Sequence, residues 1–131
     1  MPSSPVPGDL VAFLARPNPA VIGTLRPDGA PHTVATWYLW KDGRVLVNME
    51  ASRARLDHLR EDPRVALTVL DGDNWYQHVS LRGSVASLED DGDFSDIDRL
   101  SRHYGGQPYP NHDDPRVSAW IEVTSWHRWM V

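Results

Sequence analysis

Two arginines lie where a short helix is predicted to begin, and their types and spacing favour anion binding. Ser52 stands at the expected N-cap, and Arg53 and Arg55 follow in the predicted first turn. Free backbone N–H groups at a helix N-terminus, together with two guanidinium groups, can bind an anion, most simply a phosphate. The alternative is that both arginines are solvated surface residues, since cations are slightly unfavourable near the positive end of a helix dipole.

The other residue types that often carry catalysis form no recognisable arrangement. The six histidines are scattered without an H-x-x-x-H or HExxH pattern, so no metal site is expected. His112-Asp113-Asp114 is weakly metal-like, but this segment follows a proline and favours an exposed turn. No Ser-His-Asp arrangement can be argued from spacing. The absence of Walker A and GxGxxG motifs argues against a P-loop or Rossmann nucleotide site.

Length and composition indicate one globular domain over residues 1–131, with residues 1–8 as a loose lead-in. The formal charge of −5 argues against a nucleic-acid partner. No apolar run approaches the roughly 20 residues that span a bilayer, and the N-terminus lacks the features of a secretory signal. The chain has no cysteine, which excludes disulfides and thiolate chemistry. A cytoplasmic protein without a membrane partner is therefore expected.

Tryptophan is unusually frequent in this sequence. The chain has six Trp residues, and large aromatic side chains commonly line cofactor pockets and subunit interfaces. Ordinary core packing is the alternative explanation.

The elements that would position the two arginines form an antiparallel meander around the helix. Strands are predicted at Ala20–Leu25, Pro31–Trp40 and Arg44–Met49, with Pro-Asp-Gly and Asp-Gly turn segments between them. The helix that begins at Arg53 should end near Asp62, because the residue before a proline disfavours helical geometry. Further strands are predicted at Arg64–Leu70, Trp75–Leu88 and Arg116–Val131, and further helices at Leu10–Arg16 and Phe94–Tyr104.

These elements predict a mostly β fold with two or three short helices. Gly83, inside the long fifth strand, indicates a bulge or a close approach of two backbones. Six strands joined by short turns favour a small, mostly antiparallel barrel, since closure removes exposed strand edges.

Four motifs together resemble a known superfamily. They are Ala20 to Pro31, with its Gly-Thr-Leu-Arg-Pro-Asp-Gly core; Trp37-Tyr38 followed by Asp42-Gly43; Ser52 to Leu67, with Arg53, Arg55 and the run Asp-Pro-Arg-Val; and Arg82-Gly83 with Arg116-Val117. Over residues 10–130 the chain resembles the pyridoxamine-phosphate-oxidase-like split β-barrel flavoproteins, and among them the deazaflavin (F420)-dependent reductases. The resemblance implies a six-stranded split barrel that pairs as a homodimer, with a cofactor cleft at each end of the interface.

The same resemblance implies a set of cofactor-binding residues. The phosphate would be bound by the helix motif, and the ring would be lined by two strands and by the partner subunit. These residues are Ser52, Arg53, Ala54 and Arg55 in the helix motif; Ala35, Thr36 and Trp37 on one strand; Val47, Asn48 and Met49 on the next; and Trp75 and His78 at the partner's cleft. The pyridoxal-phosphate-binding residues of the classical oxidase are not found, which argues against vitamin B6 oxidation.

The function implied is hydride transfer from reduced F420 to an unsaturated small molecule. Because the cofactor carries the chemistry, no obligatory catalytic side chain is expected, and the proton would come from water or a nearby Tyr or His. Two alternatives stay open at this point. One is an FMN-dependent oxidase or flavin reductase of the same fold, and the other is a non-catalytic carrier of flavin, haem or a tetrapyrrole.

Overall fold

The structure, a computed structural model, describes residues 6–131 and contains three helices and seven strands within them. In chain order these are α1 (Gly8–Leu14), β1 (Ala20–Leu25), β2 (Pro31–Thr36), β3 (Leu39–Lys41), β4 (Arg44–Glu50), α2 (Ala54–Glu61), β5 (Arg64–Leu70), β6 (His78–Asp90), α3 (Ser95–Gly105) and β7 (Arg116–Trp129). None of the helices in residues 6–131 has the length and apolar character that a bilayer crossing requires.

The seven strands form one antiparallel sheet in the order β2-β1-β5-β6-β7-β4-β3. Its two edge strands, β2 and β3, are consecutive in the chain and are separated by Trp37 and Tyr38 alone. Three peptide steps from Thr36 to Leu39 span at most about 11 Å, so the two edges lie close together without a hydrogen-bonded ladder. The sheet is therefore a barrel that is split between β2 and β3.

The predicted mostly β, antiparallel split barrel is confirmed, but the strand count differs. The predicted strand Pro31–Trp40 is two strands, because the chain leaves β2 after Thr36 and joins the other edge of the sheet at Leu39. Tyr38 lies at this break with its side chain fully buried, and its hydroxyl donates to the carbonyl of Leu14 at 2.8 Å. A buried, hydrogen-bonded tyrosine thus interrupts the ladder at this position.

The barrel interior holds the core, and α2 is packed against it. Leu56 and Leu59 of α2 are buried in the core cluster together with strand residues such as Ile22, Val47 and Val79. This packing fixes the rotation of α2 about its axis. The rotation of α2 in turn determines the side of the helix from which Arg53 and Arg55 extend.

The predicted irregularity at Gly83 is confirmed. The register between β6 and β7 shifts between Arg82 and Gly83, and a Cβ atom at Gly83 would overlap the carbonyl group of Glu122. A larger residue therefore cannot enter without moving one of the two backbones.

Several predicted boundaries are wrong by a few residues. The N-cap of α2 is Arg53 and not Ser52, and no side chain caps this helix end. The long strand begins at His78, because Trp75 belongs to the loop before it. Of the predicted lead-in Met1–Gly8, residues 1–5 lie outside the described part of the chain, and Gly8 already begins α1.

Candidate functional site

A cleft of about 590 Å³ opens beside the split in the barrel. Its walls are formed by residues of the strands β2, β4 and β7, of the helices α2 and α3, and of the loops before β1 and β7. The lining residues are Pro17, Pro19, Ala20, Ala35, Thr36, Trp37, Asn48, Arg55, Ile97, Leu100, Tyr104, Tyr109 and Arg116. This volume is within the range of small-molecule and cofactor sites, which are commonly mainly apolar with a few polar groups.

One wall of this cleft is aromatic. The rings of Trp37 and Tyr104 are stacked with centroids 5.3 Å apart and planes inclined by 13°. Tyr109 meets Trp37 edge-on, with centroids 6.2 Å apart and an angle of 89°. Trp37 is 38% exposed, so it is a surface of the cleft rather than a core residue. A planar apolar ring would find a complementary flat face here.

The hydroxyl of Tyr104 holds this wall in place. It donates to the carbonyl of Asn18 at 2.6 Å and accepts from the backbone N–H of Tyr38 at 3.3 Å. Burial raises the pKa of Tyr104 to about 12. The phenol is therefore protonated at neutral pH, and its hydrogen is already donated within the protein.

A second cleft of about 390 Å³ adjoins the first and is cationic. The two share Ala35, Arg55, Tyr109 and Arg116, and the second adds Arg53. The remaining lining residues of the second cleft are His32, Val34, Met49, Glu50 and Ala54. The site thus has an aromatic compartment and a basic compartment that meet at the same residues.

Arg55 lies at this junction with unsatisfied hydrogen-bond donors. Its Nε and Nη1 atoms are buried and have no hydrogen-bond partner within residues 6–131. Burial, and then the positive charges of Arg53 and Arg116, hold the pKa of the Arg55 guanidinium below its usual value. A cation with buried, unpaired donors is costly unless an anion joins it. The arrangement fits an anionic group of a ligand.

Arg116 is part of the same cluster and was not predicted as a site residue. It is buried at the first position of β7, and its Nη1 atom also lacks a hydrogen-bond partner among the described residues. In the sequence it belongs to the Arg116-Val117 motif at the start of a predicted strand, which gives no sign that its side chain lines a cleft. Tyr104 and Tyr109 were likewise not predicted at the site, because tertiary packing brings them to it.

The structure brings most of the predicted cofactor-binding residues to the two clefts. Ala35, Thr36, Trp37, Asn48 and Arg55 line the aromatic compartment, and Ala35, Met49, Arg53, Ala54 and Arg55 line the basic one.

Four predicted residues lie elsewhere. Val47 is fully buried in the core, and Ser52 is exposed in the turn before α2. Trp75 and His78 line neither cleft of their own chain. Trp75 is 64% exposed and stacks on Tyr76 with ring centroids 4.5 Å apart.

No set of three or more His, Asp or Glu side chains in residues 6–131 is arranged to hold a metal ion. The aromatic wall and the arginines are the features of the site that could bind a ligand. These two features provide a face for a planar ring and donors for an anion.

The fold defines the chain as a split β-barrel protein. The family profile of pyridoxamine 5'-phosphate oxidase matches residues 6–130, and the chain belongs to this family. Family and fold together support an oxidoreductase with a flavin-type cofactor.

Solved structures show the same fold. A protein named F420 reductase superposes with a TM-score of 0.84 at 28% identity, over 93% of this chain and 98% of that chain. A conserved hypothetical protein from Mycobacterium tuberculosis has a TM-score of 0.71 at 24% identity, over 97% of this chain and 86% of that chain. General stress protein 26 from Bacillus anthracis has a TM-score of 0.69 at 16% identity, over 91% and 89%. The last two likenesses show the fold alone. No curated protein matches the chain in sequence.

Proposed function

We propose that this protein is an F420-dependent oxidoreductase that reduces an unsaturated small molecule. The observation that carries the proposal is the group of guanidinium N–H donors at the end of an aromatic cleft that have no partner within residues 6–131. The likeness to the F420 reductase, at 28% identity over 93% of this chain, supports the choice of cofactor.

The residues of the two compartments divide the binding between them. Arg53 and Arg55 would bind the phosphate, because both line the basic compartment and Arg55 has buried donors that no group in the described part of the chain accepts. Ala35, Thr36 and Trp37 would contact the ring in the aromatic compartment. Reduced F420, when bound, would supply the hydride, and the protein would bind, orient and shield the reactants.

The tyrosines of the cleft differ in their suitability as proton donors. Tyr104 is unsuited, since its hydroxyl donates to Asn18 and burial raises its pKa to about 12. Water or Tyr109, the other tyrosine of the cleft, would therefore deliver the proton that completes reduction of the acceptor.

A homodimer is part of the proposal. Residues 31–35 of the edge strand β2 are all exposed, although a strand usually buries at least one face. Trp75 and Tyr76 form a second exposed aromatic surface. A second copy that covered β2 would protect this edge, and its Trp75 and His78 would reach the cleft of the first copy.

The test is a comparison of F420 and FMN binding by quenching of tryptophan fluorescence, followed by assays of reduced F420 with a panel of unsaturated acceptors. Trp37 lies in the cleft, so Trp37→Phe should remove much of the quenching and shows that the probe reports this site. We expect F420 to bind more tightly and to be oxidised by at least one class of acceptor. Tight FMN binding that F420 cannot displace would favour the FMN-dependent alternative. Tight binding without turnover would favour a carrier.

A further inference from the structure

We propose that Arg116 is a third anion-binding guanidinium of this site and that Glu50 is its resting counterion. This inference deepens the proposed function and rests on it, because the anion is taken to be the phosphate of the bound cofactor. Neither residue is among the cofactor-binding residues that the family resemblance implies, although Arg116 belongs to one of the motifs that carry it. Both are identified by their contacts in the folded chain.

Arg116 is buried but incompletely paired. Its residue exposure is 9%, and its buried Nη1 atom has no hydrogen-bond partner within residues 6–131. The nearest acidic contact is Oε1 of Glu50, at 3.9 Å from Nη1, which is beyond hydrogen-bond length. A buried donor of this kind is costly to leave unpaired, so a ligand oxygen would gain a hydrogen bond at little cost in desolvation.

A polar network fixes where this guanidinium points. Its Nε atom donates to Oδ1 of Asn48 at 2.7 Å. The amide nitrogen of Asn48 in turn donates to Asp91 at 3.1 Å and to Ser118 at 3.0 Å, so both of its hydrogens are used within the protein. Asn48 is therefore a positioning residue for Arg116.

The network is anchored at the N-terminus of α3. Asp91 accepts the backbone N–H groups of Asp96 at 3.1 Å and Ile97 at 2.9 Å. Ser118 donates to the carboxylate of Asp96 at 2.7 Å. Because Asn48, Asp91 and Ser118 are all buried, the position of Arg116 is tied to a rigid helix end and not to mobile surface groups.

The remaining environment directs Arg116 toward the ligand site. Its guanidinium carbon lies 4.9 Å from the centroid of the Tyr109 ring, which covers one face of the group. Arg116 lines both compartments of the site. Its positive charge also contributes to the lowered pKa of Arg55, which places the two guanidinium groups within electrostatic reach of each other.

Glu50 opposes anion binding at this cluster. Its Oε1 atom lies 3.7 Å from Nη2 of Arg53 and 3.9 Å from Nη1 of Arg116, and its side chain is 26% exposed. One carboxylate thus lies between two of the three arginines and offsets part of their charge. A phosphate that binds there competes with this carboxylate for the same donors. Removing the charge of Glu50 should strengthen binding, whereas removing that of Arg116 should weaken it.

The experiment measures F420 and FMN affinities by tryptophan quenching for Arg116→Gln and Glu50→Gln. We expect Arg116→Gln to lose about tenfold or more, as for a charge-assisted hydrogen bond to a buried partner, and Glu50→Gln to gain affinity. Arg64→Gln and Glu122→Gln, exposed and outside both clefts, are the matched controls and should leave affinity unchanged. Arg116→Lys, which keeps the charge but not the planar fork, should fall between wild type and Arg116→Gln.

Inorganic phosphate provides a readout that does not depend on the cofactor. It should raise the unfolding temperature of the wild type. It should raise that of Glu50→Gln more strongly and that of Arg116→Gln little or not at all.

If the wild type prefers FMN and Arg116→Gln loses FMN affinity, the cofactor proposal fails and the role of Arg116 stands. If F420 binds the wild type and Arg116→Gln equally, the role of Arg116 fails and the cofactor proposal stands. Equal cofactor affinities of Glu50→Gln and the wild type would overturn the assignment of Glu50 as the counterion of Arg116. Absence of any phosphate or cofactor binding by the wild type would overturn the whole inference.

Discussion

The Nε atom of Arg116 donates a 2.7 Å hydrogen bond to Oδ1 of Asn48, although 68 positions separate the two residues in the chain. The bond joins the neighbouring strands β4 and β7, and both residues line the aromatic compartment of the cleft. It leaves the Nη1 atom of Arg116 without a hydrogen-bond partner among residues 6–131. The same pair therefore belongs both to the packed interior and to the candidate site.

Asn48→Leu should reduce both stability and cofactor affinity. The substitution leaves Nε of Arg116 and a carboxylate oxygen of Asp91 without their amide partner in a buried setting. A buried donor or acceptor left unsatisfied costs about 1–3 kcal/mol, so the free energy of unfolding should fall by an amount in this range or above it. Urea denaturation measures this change. Asn74→Leu in the exposed loop before β6 is the control, and an equal loss in the two variants would contradict the network.

Arg55→Glu should weaken cofactor binding by about tenfold or more, since it replaces a cation that has free donors with a repelling charge. Arg53→Glu should cost less, because the Arg53 side chain is 63% exposed and already contacts Glu50. Arg60→Glu, exposed on the same helix, is the control. Unchanged cofactor affinity in the double variant Arg53→Glu/Arg55→Glu would remove the helix start from the site.

Arg55→Gln should leave the folded protein as stable as the wild type or make it more stable. The change removes a half-buried positive charge that partial burial and two neighbouring arginines disfavour. Gln retains the Cβ, Cγ and Cδ atoms of the arginine, so the packing of the aliphatic part of the side chain is kept. Thermal unfolding without ligand measures the effect, and Leu56→Gln at a fully buried position of the same helix should be strongly destabilising. A large loss of stability in Arg55→Gln would show that the arginine has a structural role.

Alkaline pH should destabilise the protein through Tyr104. Burial raises the pKa of Tyr104 to about 12 from its ordinary value of 10.0, so the folded state holds the proton that the unfolded state releases. The contribution to stability is complete below the unfolded pKa and is lost as pH rises toward the folded pKa. Between about pH 10 and pH 12, the free energy of unfolding should decline less for Tyr104→Phe than for the wild type. Tyr76→Phe, at an exposed residue, should follow the wild type.

The proposed dimer should be stable at micromolar concentration. An interface that covers β2 and the Trp75–Tyr76 surface would be of the permanent kind, which commonly buries more than ~2,000 Å² in total. Val34→Asp places a charge on exposed β2 and should produce monomers in sedimentation experiments. Asp28→Asn, in the exposed turn before β2, is the control. A monomeric wild type would remove the proposed contribution of Trp75 and His78 to the partner's cleft.

Local sequence patterns predicted the hairpin turns and the two arginines at the start of α2, Arg53 and Arg55, because these features depend on neighbours in the sequence. The Asp-Gly turn at residues 42–43 is one example, and both residues have the positive φ angles that this turn requires. Arg55 was found because a helix start was predicted within one residue of its true position. The strand break at Trp37 could not be predicted, since it depends on Tyr38 reaching the carbonyl of Leu14.

Arg116 and Tyr109 were not predicted at the site for a related reason. Their positions depend on contacts between distant parts of the chain, such as the bond from Arg116 to Asn48 and the bond from the backbone N–H of Tyr109 to Asp98 at 2.9 Å. An arginine at the start of a strand has no local feature that distinguishes a buried ligand from a solvated side chain. Its burial becomes visible only when β4 and β7 are paired.

The affinity for F420 should have a salt-sensitive contribution from an exposed arginine and a less sensitive contribution from buried guanidinium donors. F420 has a phosphodiester followed by a glutamyl tail, so it carries more negative charge outside the ring pocket than FMN does. Arg53 is 63% exposed and its contacts should be screened by salt, whereas the buried donors of Arg55 and Arg116 should be screened much less. F420 affinity should therefore fall steeply between low and moderate ionic strength, and FMN affinity should fall less.

The two parts can be assigned with single variants. Arg53→Gln should flatten the salt dependence of F420 binding and change affinity little at high salt. Arg116→Gln should lower affinity at every salt concentration and change the slope less, because its donor is buried. Contacts of Arg53 to the phosphate and the tail are made equally before and during hydride transfer, so Arg53→Gln should raise KM and leave kcat unchanged. Equal slopes for F420 and FMN, or a steep slope that persists in Arg53→Gln, would show that the tail does not lie along this side of α2.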